Sequence, residues 1–389
     1  MLRSAAFLLL LGFTGMSVPG TSVPGTSIND PATRTEPPVR FTRYFVAAES
    51  YESVGVFDVD NNGTLDLVSG DFWYEGEPGP NPRFRKRHLI GNQQRQDQYY
   101  DDFSTIPMDV NGDGRTDVVT GGWWSGRLRW LENVPKGLWP IHEIRAVGNI
   151  ETTRAWDVDG DGTPEICPNN PGKPLKYLKL DPATRSFRQI DVAPTQDHGL
   201  GFGDVNGDGR GDFIVSKGWL DAPADRKTWT LHPEFDLGTA SVPILVVDVN
   251  GDRKNDLIVG QGHGYGLHWY EQTVDKTGKR GWTKHLIDDK NSQYHVLEWV
   301  DITGDGRPEL ITGKRFRAHN DSDPGADDPV GLYYFTVENG RFVKHTIAYG
   351  PAGEGKGTGI YFAVADLRKT GRQDIVVAGK DGLYVFFNN

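Results

Sequence analysis

The chain has 389 residues, 24% charged and 37% hydrophobic, and this composition excludes wholesale disorder. Its formal charge of −11 argues against a nucleic-acid partner or an anionic membrane surface. The single cysteine, Cys167, excludes a disulfide within the chain, so packing or bound metals must supply the stability. The 49 glycines and the 11% of aromatic residues favour short strands joined by tight turns, and therefore an all-β fold.

The N-terminal residues have the pattern of an export signal. Arg3 supplies a positive charge, and the apolar run from Ala5 to Phe13 is shorter than the roughly 20 residues that span a bilayer. A duplicated Ser/Pro/Gly/Thr stretch, Ser17 to Ser27, then indicates a flexible linker. We therefore predict a secreted or periplasmic protein with no membrane span. Its predicted parts are a signal peptide (1–20), a linker (21–39) and one folded domain (40–389).

A nine-residue pattern, D-x-[DN]-x-[DN]-G-x-x-[DE], recurs along the folded domain and is followed each time by two aliphatic residues. The seventh copy is degenerate. The copies start 44 to 65 residues apart, and this spacing in a chain of β composition predicts a solenoid or a propeller. They start at Asp58, Asp109, Asp157, Asp204, Asp248, Asp301 and Asp366.

Each repeat also contains two segments of alternating polarity, such as Leu128–Glu132 and the closing segment 139–144, which predict strands. With a strand on either side of the aspartate loop, each unit has four strands. The last unit stops after Leu383–Phe387 and lacks its closing strand, whereas residues 41–46 have that strand's pattern. The N-terminal strand can therefore complete the last unit and close a ring. We predict an all-β fold, a seven-bladed β-propeller of four-stranded blades.

The aspartate loops have the ligand pattern of a calcium site. Positions 1, 3, 5 and 9 offer carboxylate or amide oxygens, position 7 offers a backbone carbonyl, and Gly at position 6 permits a sharp turn. An EF-hand is excluded because a strand follows each loop at once. The alternative is that some loops hold themselves by Asx-type hydrogen bonds without metal. The predicted ligands are Asp58, Asp60, Asn62, Asp66, Asp109, Asn111, Asp113, Asp117, Asp157, Asp159, Asp161, Glu165, Asp204, Asn206, Asp208, Asp212, Asp301, Asp305 and Glu309.

The loops are not equivalent in sequence. The first four contain every ligand position, whereas Arg253 replaces the glycine of the fifth and Thr303 replaces a stronger ligand in the sixth. In the seventh, Arg368 and Thr370 occupy ligand positions, so we predict no metal there.

Four of the ten histidines occupy positions that the repeat does not explain. Two of them begin innermost strands, and the other two follow second strands, so all four belong to the face opposite the aspartate loops. Several imidazoles near one channel mouth can form a site for zinc or another transition metal. The alternative is a set of separate hydrogen-bonding residues around a polar pore. The four are His198, His263, His295 and His319.

Three further polar residues of this face are candidate catalytic residues, Glu151, Tyr100 and Arg315, with Glu151 or Tyr100 as the base. Tryptophans that follow second strands are expected near the same face. Aromatic rings beside carboxylates suit carbohydrates, whose C–H faces stack while their hydroxyls accept and donate hydrogen bonds. These tryptophans are Trp73, Trp123, Trp124 and Trp219, and the alternative is that they wedge between blades.

The repeats resemble FG-GAP/VCBS repeats, the blades of integrin-α-type propellers, over about 350 residues. This resemblance implies calcium in the loops. More loosely, a calcium-type propeller with histidines on its other face is similar to the propeller domain of fungal aldos-2-ulose dehydratase. That likeness implies a zinc that acts as a Lewis acid on a keto-sugar, with elimination of water.

Two functions follow from these patterns. The first is a secreted, zinc-dependent lyase or dehydratase of a keto-sugar or glycoside. The alternative is a non-catalytic adhesion or glycan-binding propeller, which needs only the aromatic rim, and a pure assembly scaffold is a third class.

Overall fold

The computed structural model describes residues 39–389, so the predicted signal peptide and all but the last residue of the predicted linker lie outside the described residues. The described chain forms seven sheets of four antiparallel strands. In six sheets the strands follow each other in chain order. First strands of neighbouring blades contact each other, which places them innermost around the ring. The predicted all-β, seven-bladed propeller is confirmed.

The blades are numbered one to seven along the chain, and the strands of each blade run from the centre outwards. Their bounds are as follows: blade one, Gly55–Phe57, Asp66–Ser69, Phe72–Glu75 and Lys86–Leu89; blade two, Ile106–Met108, Asp117–Gly121, Arg127–Leu131 and Ile141–Ala146; blade three, Thr152–Trp156, Glu165–Asn169, Leu175–Asp181 and Ser186–Ala193; blade four, Leu200–Gly203, Asp212–Val215, Gly218–Asp221 and Thr230–His232; blade five, Leu245–Val247, Asp256–Gly260, Tyr265–Val274 and Arg280–Ser292; blade six, Leu297–Val300, Glu309–Gly313, Val330–Glu338 and Arg341–Gly350; blade seven, Ala363–Ala365, Asp374–Val377, Leu383–Asn388 and Phe41–Ala47.

The ring closes through the N-terminal strand, as the sequence predicts. Phe41–Ala47 pairs with the last strand, Leu383–Asn388, from Phe41 opposite Asn388 to Ala47 opposite Leu383. Blade seven therefore contains both ends of the described chain. Closure leaves no exposed inner sheet edge on which further strands could add.

The core lies between blades. The second strands are buried along their whole length, as in Asp117–Gly121 and Asp256–Gly260. Aliphatic side chains of neighbouring blades pack together, for example Val119 and Leu128 of blade two with Ile166 of blade three. Each fully buried side chain of this kind contributes about 1.5–3 kcal/mol relative to exposure. The two aliphatic residues after each aspartate loop supply much of this core.

Two short elements lie outside the blades. A hairpin, Arg95–Gln96 with Tyr99–Tyr100, connects blades one and two, and a 3₁₀ turn, Ala318–Asp321, lies in the loop between the second and third strands of blade six. Among residues 39–389 no helix is long and apolar enough to cross a membrane.

Candidate functional site

Three of the four surplus histidines meet one carboxylate at the mouth of the ring. The Nε2 atoms of His198 and His263 are 2.8 Å apart, and Nε2 of His295 is 2.9 Å from Oε1 of Glu151. One ligand atom from each of the four residues lies within 4.8 Å of the others. We call Glu151, His198, His263 and His295 the histidine centre. Its imidazoles and carboxylate are donors that zinc accepts.

The blade topology explains why these residues meet. Glu151, His198 and His295 each precede the first strand of a blade, and His263 follows the second strand of blade five. In an antiparallel pair the start of one strand lies beside the end of the next, so these positions share one end of the blades. The aspartate loops connect first to second strands at the opposite end.

Hydrogen bonds fix the protonation of two imidazoles. Nδ1 of His198 lies 2.8 Å from the carbonyl oxygen of Ala240, and Nδ1 of His263 lies 3.0 Å from Oδ2 of Asp323. Each acceptor requires a proton on Nδ1, so in a neutral ring the lone pair is on Nε2. Two lone pairs that face each other at 2.8 Å repel. The pair therefore requires a shared proton or a cation.

Charges in the centre favour a cation. Burial lowers the pKa of His263 to about 4 and that of His295 to about 3, so these rings are neutral at pH 7. Burial raises the pKa of Glu151, but His198 and His295 outweigh it and bring the pKa well below its ordinary value. The ionised Glu151 accepts the Nε2 proton of His295, whose buried Nδ1 has no hydrogen-bond partner among the described residues. His295 can offer Nε2 to a metal by moving that proton to Nδ1.

His319, the fourth predicted metal ligand, lies beside the centre, in a second group with His263 and Asp323 whose ligand atoms are within 4.8 Å of one another. Its ring stacks on His263 at a centroid distance of 4.2 Å, and its Nδ1 lies 2.9 Å from Oδ1 of Asp323. Half of its side chain is exposed. Burial raises the pKa of Asp323, but hydrogen bonds from His263, Gln293 and His319 lower it to about 2. His319 is therefore a solvent-facing imidazole that an ionised carboxylate orients.

Arg315, a candidate catalytic residue, is buried beside the centre. Its Nε lies 2.9 Å from Oε1 of Glu52, and one terminal nitrogen lies 3.9 Å from Oε1 of Glu151. Lys380 is 3.0 Å from the other oxygen of Glu52. Burial raises the pKa of Glu52, but Arg315 and Lys380 outweigh it and hold the pKa at about 2. Glu52 therefore fixes the position of the guanidinium.

The structure does not bring Tyr100 to the centre. The contacts described for its side chain are with Tyr51, at 4.2 Å between ring centroids, and with Arg95. Glu151, the other predicted base, is within reach of the three imidazoles and is better placed as a ligand than as a free base.

Two of the four tryptophans follow the alternative and pack between blades. Trp73 and Trp219 are buried in third strands and stack on the outer-strand residues His88 and His232. Trp73 packs against side chains of blade two and Trp219 against side chains of blade five. Trp124 is 41% exposed and packs on Tyr99 and Phe103, and Trp123 packs, partly buried, on the same cluster.

Sequence reasoning missed Asp323 and Gly262. Asp323 lies four residues after His319, and this spacing was the signal available for it. Gly262 separates two imidazoles, because a Cβ there would lie 3.0 Å from Cε1 of His198 and 3.2 Å from Cδ2 of His295. The adjacent His263 was a predicted metal ligand, but no sequence motif indicated a role for Gly262.

The aspartate loops on the opposite face share one set of hydrogen bonds. In blade one Asp58 accepts from the backbone N–H of Asn62 and Gly63, and Asp66 accepts from Val59 and Gly76. Corresponding bonds to the first-position carboxylate occur in the other six loops, for example at Asp109, Asp204 and Asp248. The Asx-type bonds therefore set the loop conformation and leave the carboxylates converging.

The loop carboxylates repel one another when no positive charge lies between them. Burial and then neighbouring carboxylates raise the pKa of Asp66 and of Asp212 to about 7, and burial raises those of Asp117 and Asp256 to about 6. Ligand oxygens of Asp58, Asp60 and Asp66 lie within 4.8 Å of one another. Oxygen ligands at such spacing suit a calcium ion, which would offset their repulsion.

Three loops depart from this arrangement. In blade three the ammonium of Lys179 lies among the carboxylates that the sequence assigns to calcium. In blade five Arg253 adopts φ 67° and its N–H takes the place of the glycine N–H. In blade seven the guanidinium of Arg368 contacts Asp374 at 3.0 Å.

Comparisons with known proteins agree with this architecture. The family model described as an FG-GAP-like repeat matches residues 109–167 and 248–312. A search of curated proteins gave no match. Among solved structures, the extracellular domain of BT4673 from B. thetaiotaomicron, described as a one-component system, is similar with a TM-score of 0.52 and 13% identity. That match covers 90% of this chain and 40% of the other.

A second similar structure is an auxiliary nutrient binding protein from Bacteroides ovatus ATCC 8483, with a TM-score of 0.48 and 9% identity over 90% of this chain and 78% of the other. At such identities the likeness to BT4673 shows the fold alone, and this chain spans less than half of that protein's analysed length. The repeats and the fold together place this protein in the class of seven-bladed β-propellers. More narrowly, it is a propeller that contains FG-GAP-like repeats.

Proposed function

We propose that the histidine centre binds zinc or a related transition metal and that the protein acts on carbohydrate as a lyase or dehydratase. The observation that carries this proposal is the 2.8 Å approach of two Nε2 atoms whose Nδ1 atoms are already committed as donors. His295 and Glu151 would complete a set of three imidazoles and one carboxylate, which suits zinc. Asp323 and the carbonyl of Ala240 would orient two of the ligands from behind.

A metal in this centre supplies a Lewis acid that polarises a carbonyl or hydroxyl oxygen of the substrate. Proton transfer then falls to the chain's own residues. His319 is the best-placed base, because Asp323 holds its Nδ1 proton and leaves Nε2 to accept one. In an elimination of water, Nε2 takes the proton from the carbon next to the carbonyl, the C–O bond breaks as the C=C bond forms, and the imidazolium returns the proton to the departing oxygen.

The surroundings of the centre favour a carbohydrate. Trp124 and Tyr99 form an aromatic surface with their rings 5.1 Å apart, and the backbone N–H of His319 donates to the Tyr99 hydroxyl. A sugar ring that stacks on Trp124 would be close to the loop that carries His319. The buried guanidinium of Arg315 offers a donor on the same face.

We also propose that calcium in the aspartate loops stabilises the ring and that the protein is exported. The converging carboxylates support the first proposal. The N-terminal sequence pattern supports the second, and the BT4673 fragment that shares the fold is described as an extracellular domain.

The second candidate function is a glycan-binding or adhesion propeller without catalysis. The observation that favours it is the exposed Trp124 beside Tyr99, since an aromatic platform alone suffices to hold a sugar. In that case a proton shared by His198 and His263 takes the place of the metal ion, and no metal takes part in glycan binding.

One experiment separates the two functions. Purified protein is washed with calcium and its zinc content is measured, and zinc-loaded and zinc-free samples are then incubated with keto-sugars and acidic oligosaccharides. The lyase or dehydratase predicts about one zinc per chain and zinc-dependent formation of an unsaturated product. The binder predicts calcium alone, no unsaturated product, and glycan binding that Trp124→Ala removes.

A further inference from the structure

Blade three differs from the other blades in the residue at one position of the third strand. It is the third-strand residue opposite position nine of the aspartate loop, as given by the pairing of the second and third strands. Blades one, two, four and five have an acidic residue there, blade six has threonine and blade seven phenylalanine. Blade three has a lysine, the one cation among the seven. In chain order the residues are Glu75, Glu132, Lys179, Asp221, Glu271, Thr336 and Phe387.

The lysine side chain reaches the loop of its own blade. Its Nζ lies 2.5 Å from Oδ2 of Asp159, 2.5 Å from Oδ2 of Asp161 and 3.2 Å from Oε1 of Glu165. These three carboxylates occupy positions 3, 5 and 9, the positions assigned to calcium. The ammonium therefore occupies the place among these carboxylates where a calcium ion would otherwise be bound.

The outer strand of blade three also lacks the histidine that pairs with the acidic residue in other blades. In blades one, two and five the acidic residue pairs with an outer-strand histidine, for example Glu132 with His142 at 2.7 Å. The corresponding outer residue of blade three is Ile190, opposite Tyr177. Acid and histidine are both replaced, so the lysine is free to turn towards the loop.

Blade seven supplies a parallel within the same molecule. There Arg368, at position 3 of the loop, places its guanidinium 3.0 Å from the position-nine carboxylate of Asp374. Blades three and seven thus place a cationic side chain on the position-nine carboxylate, from different positions in the sequence. In loops four, five and six the cation at position 7 contacts the position-five carboxylate instead. The third strands of blades one, two and four have an acidic residue where blade three has Lys179.

We infer that Lys179 is the built-in cation of the third loop, and that this loop holds its fold without calcium while the loops of blades one, two and four take up the ion. This replaces the expectation that loop three is a complete calcium site. Asp157, Asp159, Asp161 and Glu165 act as partners of an ammonium and of backbone N–H groups. The inference does not depend on the histidine centre.

Calcium stoichiometry tests this inference. Bound ⁴⁵Ca²⁺ is counted by equilibrium dialysis for the wild type, Lys179→Met, Asp157→Asn and, as a matched control in loop four, Asp204→Asn. Methionine keeps the aliphatic stem and removes the charge. We expect Lys179→Met to bind one calcium more than the wild type, Asp157→Asn to bind the same number, and Asp204→Asn to bind one fewer.

A loss of one calcium in Asp157→Asn would overturn the inference, and so would an unchanged count in a folded Lys179→Met. If Lys179→Met does not fold without calcium, Asp157→Asn and its control still decide. A thermal readout gives an independent check: calcium should raise the melting temperature of Lys179→Met by more than it raises that of the wild type.

Discussion

The two faces of this propeller differ in how their residues are arranged along the chain. The aspartate face is built from one motif at seven positions, and in each copy the first-position carboxylate accepts from backbone N–H groups of its own loop. The histidine face is built from residues that occur once, and its bonds connect blades, as His295 of blade six does with Glu151 of blade three. The repeated motif gives the loops one shared conformation, whereas the residues that depart from the repeat form the candidate site.

The largest expected effect comes from removing one imidazole of the histidine centre. His263→Ala should lower zinc affinity by more than about 100-fold, beyond the 10–100-fold typical of residues behind the ligands, and abolish turnover. Its melting temperature in calcium should stay near that of the wild type. The control is His285→Ala, an outer-strand histidine that bonds Glu271. Equal zinc affinity in the two variants would contradict a metal site on this face.

Removing calcium should act on the other face. A chelator should lower the free energy of unfolding by about 2.7 kcal/mol for each loop that was filled at 100 times its dissociation constant. The repulsion among buried carboxylates such as Asp66 is then no longer offset. Calorimetry with and without EGTA measures this effect. An unchanged melting curve would show that the hydrogen-bonded loops need no ion.

Asp323→Asn should weaken the histidine centre without removing a ligand. The amide can accept from only one of His263 and His319 through its oxygen, so orientation of the rings is lost. We expect a 10–100-fold loss of zinc affinity. Since His319 also loses its charged partner, kcat should fall as well. A change in kcat with unaltered zinc affinity would assign Asp323 to the proton transfer alone.

The smallest effect is a pH dependence of the calcium-free protein. The folded-state pKa values of Asp66 and Asp212 are about 7, above the ordinary value of 3.8, so the folded state binds these protons more tightly than the unfolded state. Stability should therefore fall as pH rises from about 4 to about 7, by a few degrees in melting temperature, and calcium should remove the trend. A melting temperature that rises over this window in EGTA would contradict these pKa shifts.

The fold could be predicted because the same motif occurs seven times in the sequence. Even closure followed from the sequence, since residues 41–46 carry the closing-strand pattern that the last blade lacks. The face of the surplus histidines also followed, because strand order alone fixes which ends meet. The exact ligand groups did not follow: His319 and His263 lie at similar places after second strands, but His263 belongs to the group with Glu151, His198 and His295, whereas His319 groups with His263 and Asp323.

Other parts of the site depend on contacts that no local pattern records. Glu151 and His295 are 144 residues apart, and their contact arises only when blades three and six face each other across the ring. Asp323 lies in an irregular loop whose residues Arg317, His319 and Asn320 adopt positive φ angles. The repeat motif describes loop three as complete, because Lys179 lies outside the nine residues that define it.

Anomalous diffraction at the zinc edge, from crystals grown with calcium and zinc, tests the central proposal most directly. We expect one peak at about 2.0–2.1 Å from Nε2 of His198 and Nε2 of His263, with His295 and Glu151 as the remaining ligands. It should be absent from the His263→Ala protein. Zinc density confined to the aspartate loops, or none among these imidazoles, would contradict the proposal and leave the shared proton as the charge that holds them together.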